Sequence, residues 1–159
     1  MTWDEIHPPQ TTGGEHVWII PDKRMKARKE HRVPLTAEMM SLLNALPNHE
    51  ASKLVFHSSK GNPLSDMTLS AAMKRIHESA TKAGGVGFVD YASRRPAVPH
   101  GLRSTFRNWA AEQGYEHELA EIQLAHEVGT AVTRAYFRTD MMEKRRKMLE
   151  EWSKFLRGV

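Results

Sequence analysis

The sequence predicts one mainly α-helical domain that also contains a small antiparallel β-sheet. Its 159 residues suit a single domain with its own core, and 40% hydrophobic with 26% charged residues is the composition of a soluble globular protein. Apolar residues recur at helical spacing through much of the chain after residue 36. Before that point, two short β-prone runs flank a basic stretch, which is the pattern of a hairpin.

The predicted sheet lies in the first third of the chain. Residues 1–10 have a helix-like composition that ends at Pro8 and Pro9. The runs at residues 16–20 and 31–35 are expected to pair as a hairpin with a charged connection. Residues 53–56 are a candidate third strand that would complete the sheet.

Two helices should follow the hairpin. The first should begin after Thr36, a good N-cap residue, and stop at Pro47. Its apolar side chains are Met39, Leu42, Leu43 and Leu46. The second should be capped by Ser65 and ended by Gly84 and Gly85. Its apolar stripe is Leu69, Met73, Ile76 and Ala80.

The second half of the chain should be helical after a loop at residues 84–99. A helix over residues 100–113 would end at Gly114 and turn Leu102, Phe106 and Trp109 inward. Shorter helices are expected near residues 118–125 and 130–137. The last helix carries an apolar stripe formed by Met141, Met148, Leu149, Trp152, Phe155 and Leu156.

Charge is unevenly distributed along the chain. The net charge is +4 and the isoelectric point is near 9.5. Basic residues concentrate in two blocks, from Lys23 to Arg32 and from Lys144 to Lys147. A single charge run is usually a solvated face. Two blocks in a chain with a candidate phosphate site favour a nucleic-acid partner.

Composition also narrows the class of protein. The chain has no cysteine, which excludes disulfides and thiolate chemistry and fits a reducing compartment. No apolar run approaches the roughly 20 residues that cross a bilayer. The first residues lack the basic and apolar regions of a signal peptide. We therefore expect a cytoplasmic protein with no membrane partner.

His100 and Arg103 are the first candidate catalytic residues. They are three residues apart at the start of a predicted helix, so they project from one face, where backbone amides also favour an anion. The guanidinium of Arg103 can grip two phosphate oxygens, and His100 can move a proton near neutral pH. A bare pair of this kind is more often structural.

Three further residues would complete a site that holds and cleaves a phosphodiester. Tyr136 is the candidate nucleophile, although a phenol with a pKa of about 10 needs a base or cationic surroundings to attack at neutral pH. His126 could contribute such surroundings, and Lys26 could place an ammonium near a leaving oxygen. Each of the three, considered alone, is more often a packing or solvated residue. The scattered histidines form no metal motif and the chain has no glycine-rich phosphate loop, so we expect no metal and no other cofactor.

In their order and spacing, these residues resemble the catalytic domain of the tyrosine recombinases, and specifically the phage and genomic-island integrases. Lys26, followed by Val33-Pro34-Leu35, resembles the hairpin lysine of the family and the strand after it. The other matching segments are His100-Gly-Leu-Arg103 for the H-x-x-R box, Leu124-Ala-His126 for the L-G/A-H box, and Ala135-Tyr136 with Glu143-Lys-Arg-Arg146 for the nucleophile segment. The resemblance covers nearly the whole chain.

The resemblance implies site-specific DNA recombination without metal or ATP. Tyr136 would attack the scissile phosphate, form a 3′-phosphotyrosyl link and release a 5′-hydroxyl. Arg103 would stabilise charge on the phosphate, His100 would manage the proton of the nucleophile, His126 would hydrogen-bond the phosphate, and Lys26 would be the general acid. The implied partners are double-stranded DNA and a neighbouring protomer that receives the C-terminal helix. The candidate DNA-contacting residues are Lys23, Arg24, Arg28, Lys29, Arg32 and Arg107.

The resemblance also implies that part of the site is missing. The family has a first catalytic arginine upstream of the segment that matches Trp3, and an N-terminal domain that completes the clamp around DNA. We therefore expect residues 1–159 to be one partial catalytic domain that is weak or inactive alone. Two alternatives remain open, namely a decayed integrase that only binds DNA or another partner, and a nicking enzyme like the type IB topoisomerases.

Overall fold

The computed structural model describes residues 1–9, 14–46, 52–90, 93–128 and 139–158. Its helices and strands are β1 (Ile6–His7), β2 (Val17–Ile20), β3 (His31–Pro34), α1 (Ala37–Asn44), α2 (Thr68–Lys82), α3 (Pro99–Glu112), α4 (His117–Gln123) and α5 (Met142–Arg157), with short 3-10 turns at Trp3–Glu5 and Asp22–Arg24. The prediction of a mainly α-helical fold with a small antiparallel sheet is confirmed.

The chain divides into two compact units. The first unit contains Met1–Pro63 and Ala110–Val159, and the second contains Leu64–Trp109, so the division falls within α3. The sheet, α1, α4 and α5 belong to the first unit. The second unit contains α2, the segment that follows it and most of α3.

The sheet has three antiparallel strands in the order β1-β2-β3. In the predicted hairpin, Trp18 pairs with Val33 and Ile20 pairs with His31, which confirms the pairing of these two runs. The third strand is β1, in which Ile6 pairs with Trp18. The prediction of a third strand at residues 53–56 is therefore wrong, and the helix-like composition before residue 10 corresponds only to the 3-10 turn at Trp3–Glu5.

Side-chain contacts explain why the first residues join the sheet. The Glu5 carboxylate accepts hydrogen bonds from the Thr2 amide at 3.0 Å and from the Trp18 indole at 3.1 Å. These bonds hold the first 3-10 turn against β2, and the chain then continues as a strand. They also hold the pKa of Glu5 below its usual value, against the effect of burial, with help from the nearby guanidinium of Arg24.

Residues 53–56 pair with the N-terminus at two points and form no regular strand. Leu54 makes an isolated bridge with Thr2, and the Val55 amide donates to the Met1 carbonyl at 3.1 Å. Val55 is buried together with Leu35 and Leu43, and these three residues form the centre of a hydrophobic core in the first unit.

The helices of the first unit follow the predicted pattern in part. The Thr36 hydroxyl accepts a hydrogen bond from the Met39 amide at 3.3 Å, which confirms Thr36 as the N-cap of α1. Of the apolar side chains of α1, Leu43 is buried and Leu42 is 71% exposed. In α5, Met148 and Leu149 are buried as predicted. The stripe does not continue to the end of α5, where Phe155 and Leu156 are exposed. Helix α4, at His117–Gln123, corresponds to the helix predicted at residues 118–125.

The second unit departs further from the sequence pattern. Helix α2 begins at Thr68, and the Ser65 hydroxyl bonds to the Thr68 hydroxyl instead of a backbone amide, so the predicted cap is wrong. Leu69 and Ile76 of the predicted stripe are exposed, and no residue of α2 is buried. The segment after α2 has no regular element before Pro99 in its described part, as predicted.

Helix α3, at Pro99–Glu112, confirms the helix predicted at residues 100–113. Phe106 and Trp109 are buried, with ring centroids 6.0 Å apart. Leu102 is 58% exposed, because the buried face of this helix begins one turn later than predicted. Gly114 ends the helix with a φ of +77°, as its position suggests. The helix predicted at residues 130–137 lies outside the described residues. Within the described ranges, no helix has the length and apolarity that crossing a bilayer requires.

Candidate functional site

The first unit contains an open cleft of about 760 Å³ that brings three stretches of chain together. They are the hairpin with the connection between β2 and β3, the C-terminal end of α4, and the residues around the start of α5. The described lining residues are Met25, Ala27, Lys29, Glu30, His31, Arg32, Ile122, Ala125, His126, Glu127, Val128, Thr139, Asp140 and Arg145. The imidazole and cationic groups among them suit an anionic ligand.

His126 enters the cleft at the point where α4 ends. The Ala125 amide donates to the Ile122 carbonyl at 3.0 Å, and the His126 amide donates to the Glu121 carbonyl at 2.9 Å. Ala125 adopts a φ of +57°. These features form a Schellman motif, which satisfies the last carbonyls of the helix. The predicted L-A-H box is therefore a helix C-terminus that places His126 directly after a left-handed turn.

The ring of His126 is held from the same helix. Its Nδ1 atom lies 2.7 Å from Oε2 of Glu121. The Glu121 side chain is 13% exposed and the His126 side chain is 45% exposed, so a mostly buried carboxylate anchors a half-exposed ring. An ionised carboxylate only accepts hydrogen bonds, and Nδ1 is therefore the donor.

Arg145 forms the buried wall of the cleft and connects all three stretches. Its guanidinium donates to the Gln123 side chain at 2.9 Å, to the Asp140 carbonyl at 3.2 Å and to the Arg32 carbonyl at 2.7 Å. It is fully buried. Burial lowers the pKa of Arg145 to about 10, the Asp140 carboxylate opposes this effect and Arg32 adds to it. The group therefore stays charged at neutral pH.

His31 lies beside Arg145 in the cleft wall. Burial is the main cause that lowers its pKa, and the positive charge of Arg145 adds to this effect. A hydrogen bond to the Gln123 backbone and the Asp140 carboxylate act in the opposite direction. The net result favours the neutral imidazole at this position.

The basic residues of the hairpin connection fall into two groups. Lys26 and Lys23 are exposed, as is Arg28, whose φ is +52°. Met25 and Ala27, on either side of Lys26, line the cleft, as does Lys29. Two other proposed DNA contacts are in ion pairs within the protein: Arg24 pairs with Glu5 at 2.6 Å, and Arg32 pairs with Asp140 at 3.2 Å.

His100 and Arg103 belong to the second unit. Both are exposed and lie one turn apart at the start of α3, which begins at Pro99. Proline suits this position because the amide it lacks has no partner within a helix. Arg107, a proposed DNA contact, is exposed one turn further along. The predicted i,i+3 arrangement of His100 and Arg103 on one helix is thus present.

Tyr136, the proposed nucleophile, lies outside the described residues. The described residues on either side of its segment are Val128 and Thr139, and both line the cleft.

Sequence reasoning did not identify Arg145, in the wall of the cleft, or Glu121, which holds the ring of His126. In the sequence, Arg145 belongs to a basic block, yet it shares a helix face with Met148, Leu149 and Trp152 at spacings of three, four and seven residues. A charged residue within an apolar stripe was the available signal. Glu121 had no comparable signal, because its role depends on where α4 ends.

Residues 1–143 match the phage integrase family. Over 99% of its length, the chain is 32% identical to the prophage integrase IntA of Escherichia coli (strain K12), of which it covers 34%. It is 27% identical to the integrase of Enterobacteria phage P4 over 97% of the chain and 35% of that protein. It is also 27% identical to the integrase of Shigella phage Sf6 over 83% of the chain and 31% of that protein. No solved structure matches it. The chain spans about a third of the length of these relatives, and it belongs to the phage integrase family.

Proposed function

We propose that this chain is the catalytic part of a site-specific recombinase that breaks and rejoins double-stranded DNA through Tyr136. The observation that carries the proposal is the cleft of the first unit. In a chain of the integrase family, this cleft gathers His126, the hairpin connection that bears Lys26, and both described ends of the tyrosine segment. Its cationic groups supply the surroundings that a phenol needs for attack.

The proposed residue roles combine into one transesterification, in which the bond that forms and the bond that breaks balance. The Tyr136 oxygen attacks phosphorus and forms the 3′-phosphotyrosyl bond, and His100 receives the phenol proton. The bond from phosphorus to the 5′ oxygen breaks, and Lys26 donates a proton to that oxygen. Arg103 and His126 hydrogen-bond the non-bridging oxygens, where charge develops in the transition state. Rejoining is the reverse sequence with another 5′-hydroxyl.

The proposal includes a contribution from outside these 159 residues. We propose that a further arginine, carried upstream in a longer protein, completes the grip on the phosphate, and that the C-terminal helix docks on a neighbouring protomer. Removing one such electrostatic contact typically lowers the rate by about 10²–10³. The 159-residue chain should therefore form little covalent adduct alone.

A nicked suicide duplex, which loses its short 5′-hydroxyl fragment after cleavage, tests this function. The longer protein should become covalently attached to the duplex, and Tyr136→Phe should abolish the adduct. Arg103→Ala and His126→Ala should slow its formation, whereas Tyr115→Phe is the matched control. Tyr115 donates to Glu151 at 2.6 Å, and neither residue lines the cleft.

Three outcomes would contradict the proposal. An adduct that persists in Tyr136→Phe would assign the chemistry to another residue. Salt-sensitive DNA binding with no adduct in the longer protein would identify a binding module instead. Relaxation of supercoiled DNA without strand exchange would indicate a topoisomerase-like enzyme that uses the same tyrosine.

A further inference from the structure

We propose that Glu121 is a positioning residue that fixes the orientation and the tautomer of His126. The structural part of this inference rests on the contacts between the two residues. Its consequence for DNA cleavage rests on the function proposed above. The residue acts through His126 and belongs to the same short helix, α4.

Glu121 holds His126 at two points. The Glu121 carbonyl accepts the His126 backbone amide at 2.9 Å, and the Glu121 carboxylate accepts Nδ1–H of the ring at 2.7 Å. Two attachments to one residue restrict both the backbone of His126 and the torsions that turn its ring. The ring is thereby preorganised, which is the condition for a hydrogen-bond donor to act in a transition state at no reorganisation cost.

The contact also decides which ring nitrogen faces a ligand. With the Nδ1 proton held by a carboxylate, Nε2 lies on the opposite edge of the ring. His126 lines the cleft, whereas Glu121 is 13% exposed and is not among the lining residues. A phosphate in the cleft would therefore meet the imidazole without meeting the carboxylate. When both nitrogens carry protons, Nε2–H can donate to the phosphate while Glu121 balances the charge.

Nitrogen-15 NMR of the histidine-labelled chain tests the positioning directly and needs no activity. In the neutral form of its ring, reached by raising the pH of the sample, wild-type His126 should show the tautomer protonated at Nδ1. Glu121→Ala should lose this bias, and Glu121→Gln, which keeps an acceptor oxygen, should retain part of it. Glu118→Ala, one turn earlier on α4, is the matched control and should leave the His126 signals unchanged.

Adduct formation by the longer protein tests the consequence for catalysis. Glu121→Ala should lower the single-turnover rate about tenfold, which is the lower end of the range seen when the carboxylate behind a metal-bound histidine is removed. Its DNA affinity and melting temperature should stay close to those of the wild type. In a His126→Gln background, the same substitution should have no further effect, because a residue that acts through His126 cannot act without it.

The results separate the two proposals. The same His126 tautomer in wild type and Glu121→Ala would overturn the inference, as would an undiminished rate in Glu121→Ala. The inference would also be overturned if Glu121→Ala lowered the rate by the same factor in wild type and in the His126→Gln variant. Absence of any Tyr136-dependent adduct would reject the proposed function, whereas the NMR comparison would still decide whether Glu121 positions His126.

Discussion

His31 is a histidine whose surroundings oppose protonation, so its charge links stability to pH. In the unfolded chain, its pKa should be about 6.5, and burial beside Arg145 lowers it in the folded protein. At pH values between the folded and the unfolded pKa of His31, the unfolded chain binds more protons than the folded one. The free energy of unfolding therefore falls as the pH drops below about 6.5, and the loss is complete below the folded pKa.

Replacing His31 with a neutral side chain should remove this dependence. We expect His31→Gln to lose less unfolding free energy than wild type does when the pH is lowered from about 7.5 to about 5.5. Urea unfolding followed by tryptophan fluorescence at the two pH values measures the difference. Equal losses in the two proteins would mean that His31 titrates alike in the folded and unfolded states.

Ala125 has the left-handed conformation that favours glycine, with a φ of +57°. An L-residue in this conformation costs about 1 kcal/mol or more, which exceeds the entropy that glycine adds to the unfolded chain. Ala125→Gly should therefore raise the unfolding free energy by about 0.5 kcal/mol. The matched control is Ala111→Gly in α3, at an exposed position with helical backbone, where the same change should lower stability. A loss of stability in both variants would contradict the argument from backbone strain.

Among the elements, α5 is linked to β3 and α4 through one side chain. Arg145 donates hydrogen bonds to Arg32 of β3, to Gln123 of α4 and to Asp140 just before α5. Lysine at this position keeps the charge but cannot reach all three acceptors with a planar fork. Arg145→Lys should therefore lower the unfolding free energy by at least about 2 kcal/mol, because buried acceptors lose their donors.

Arg146→Lys is a matched control on the same helix. Arg146 pairs with Glu15 at 3.2 Å, with Glu143 at 2.8 Å and with Glu150 at 2.7 Å, and an ammonium group can replace a guanidinium in such partly exposed ion pairs. Its cost should stay below about 1 kcal/mol. Chemical denaturation of both variants gives the comparison. Similar costs at positions 145 and 146 would show that the buried network contributes little.

The elements also show what a single sequence can predict. The hairpin, α1 and α3 have strong local signals, namely alternating β-prone residues, a threonine cap and a glycine at a helix end. Strand β1 has no such signal, since it depends on the contact of Glu5 with Trp18 across the sheet. The apolar pattern of α2 predicts a helix correctly, but it does not determine whether Leu69 and Ile76 are buried against another element.

At the scale of the whole molecule, the order of the site residues along the chain was predictable and their geometry was not. His100 and Arg103 are near each other in sequence, so their helical spacing sufficed. His126, Lys29 and Arg145 meet at one cleft through long-range contacts of β3, α4 and α5. The spacing of apolar residues in the sequence carries no information about such long-range contacts. The residues that support the cleft could therefore be identified only in the structure.

The uneven charge of the molecule yields a prediction for DNA binding. If the exposed cations of the hairpin connection contact phosphates, their loss should change the salt dependence as well as the affinity. Each phosphate contact contributes about 0.9 to the slope of log K against log salt concentration. Arg28→Gln combined with Lys29→Gln should therefore reduce the magnitude of the slope by nearly 2.

Lys53→Gln combined with Lys60→Gln removes the same charge from exposed positions outside both basic blocks and serves as the control. Fluorescence anisotropy with a labelled duplex at several salt concentrations measures both slopes. The control pair should keep the wild-type slope, because the slope depends on the number of phosphates that the protein contacts and not on its net charge. Equal reductions in both double variants would instead assign binding to the overall field of the protein. They would thereby contradict a DNA-contacting hairpin.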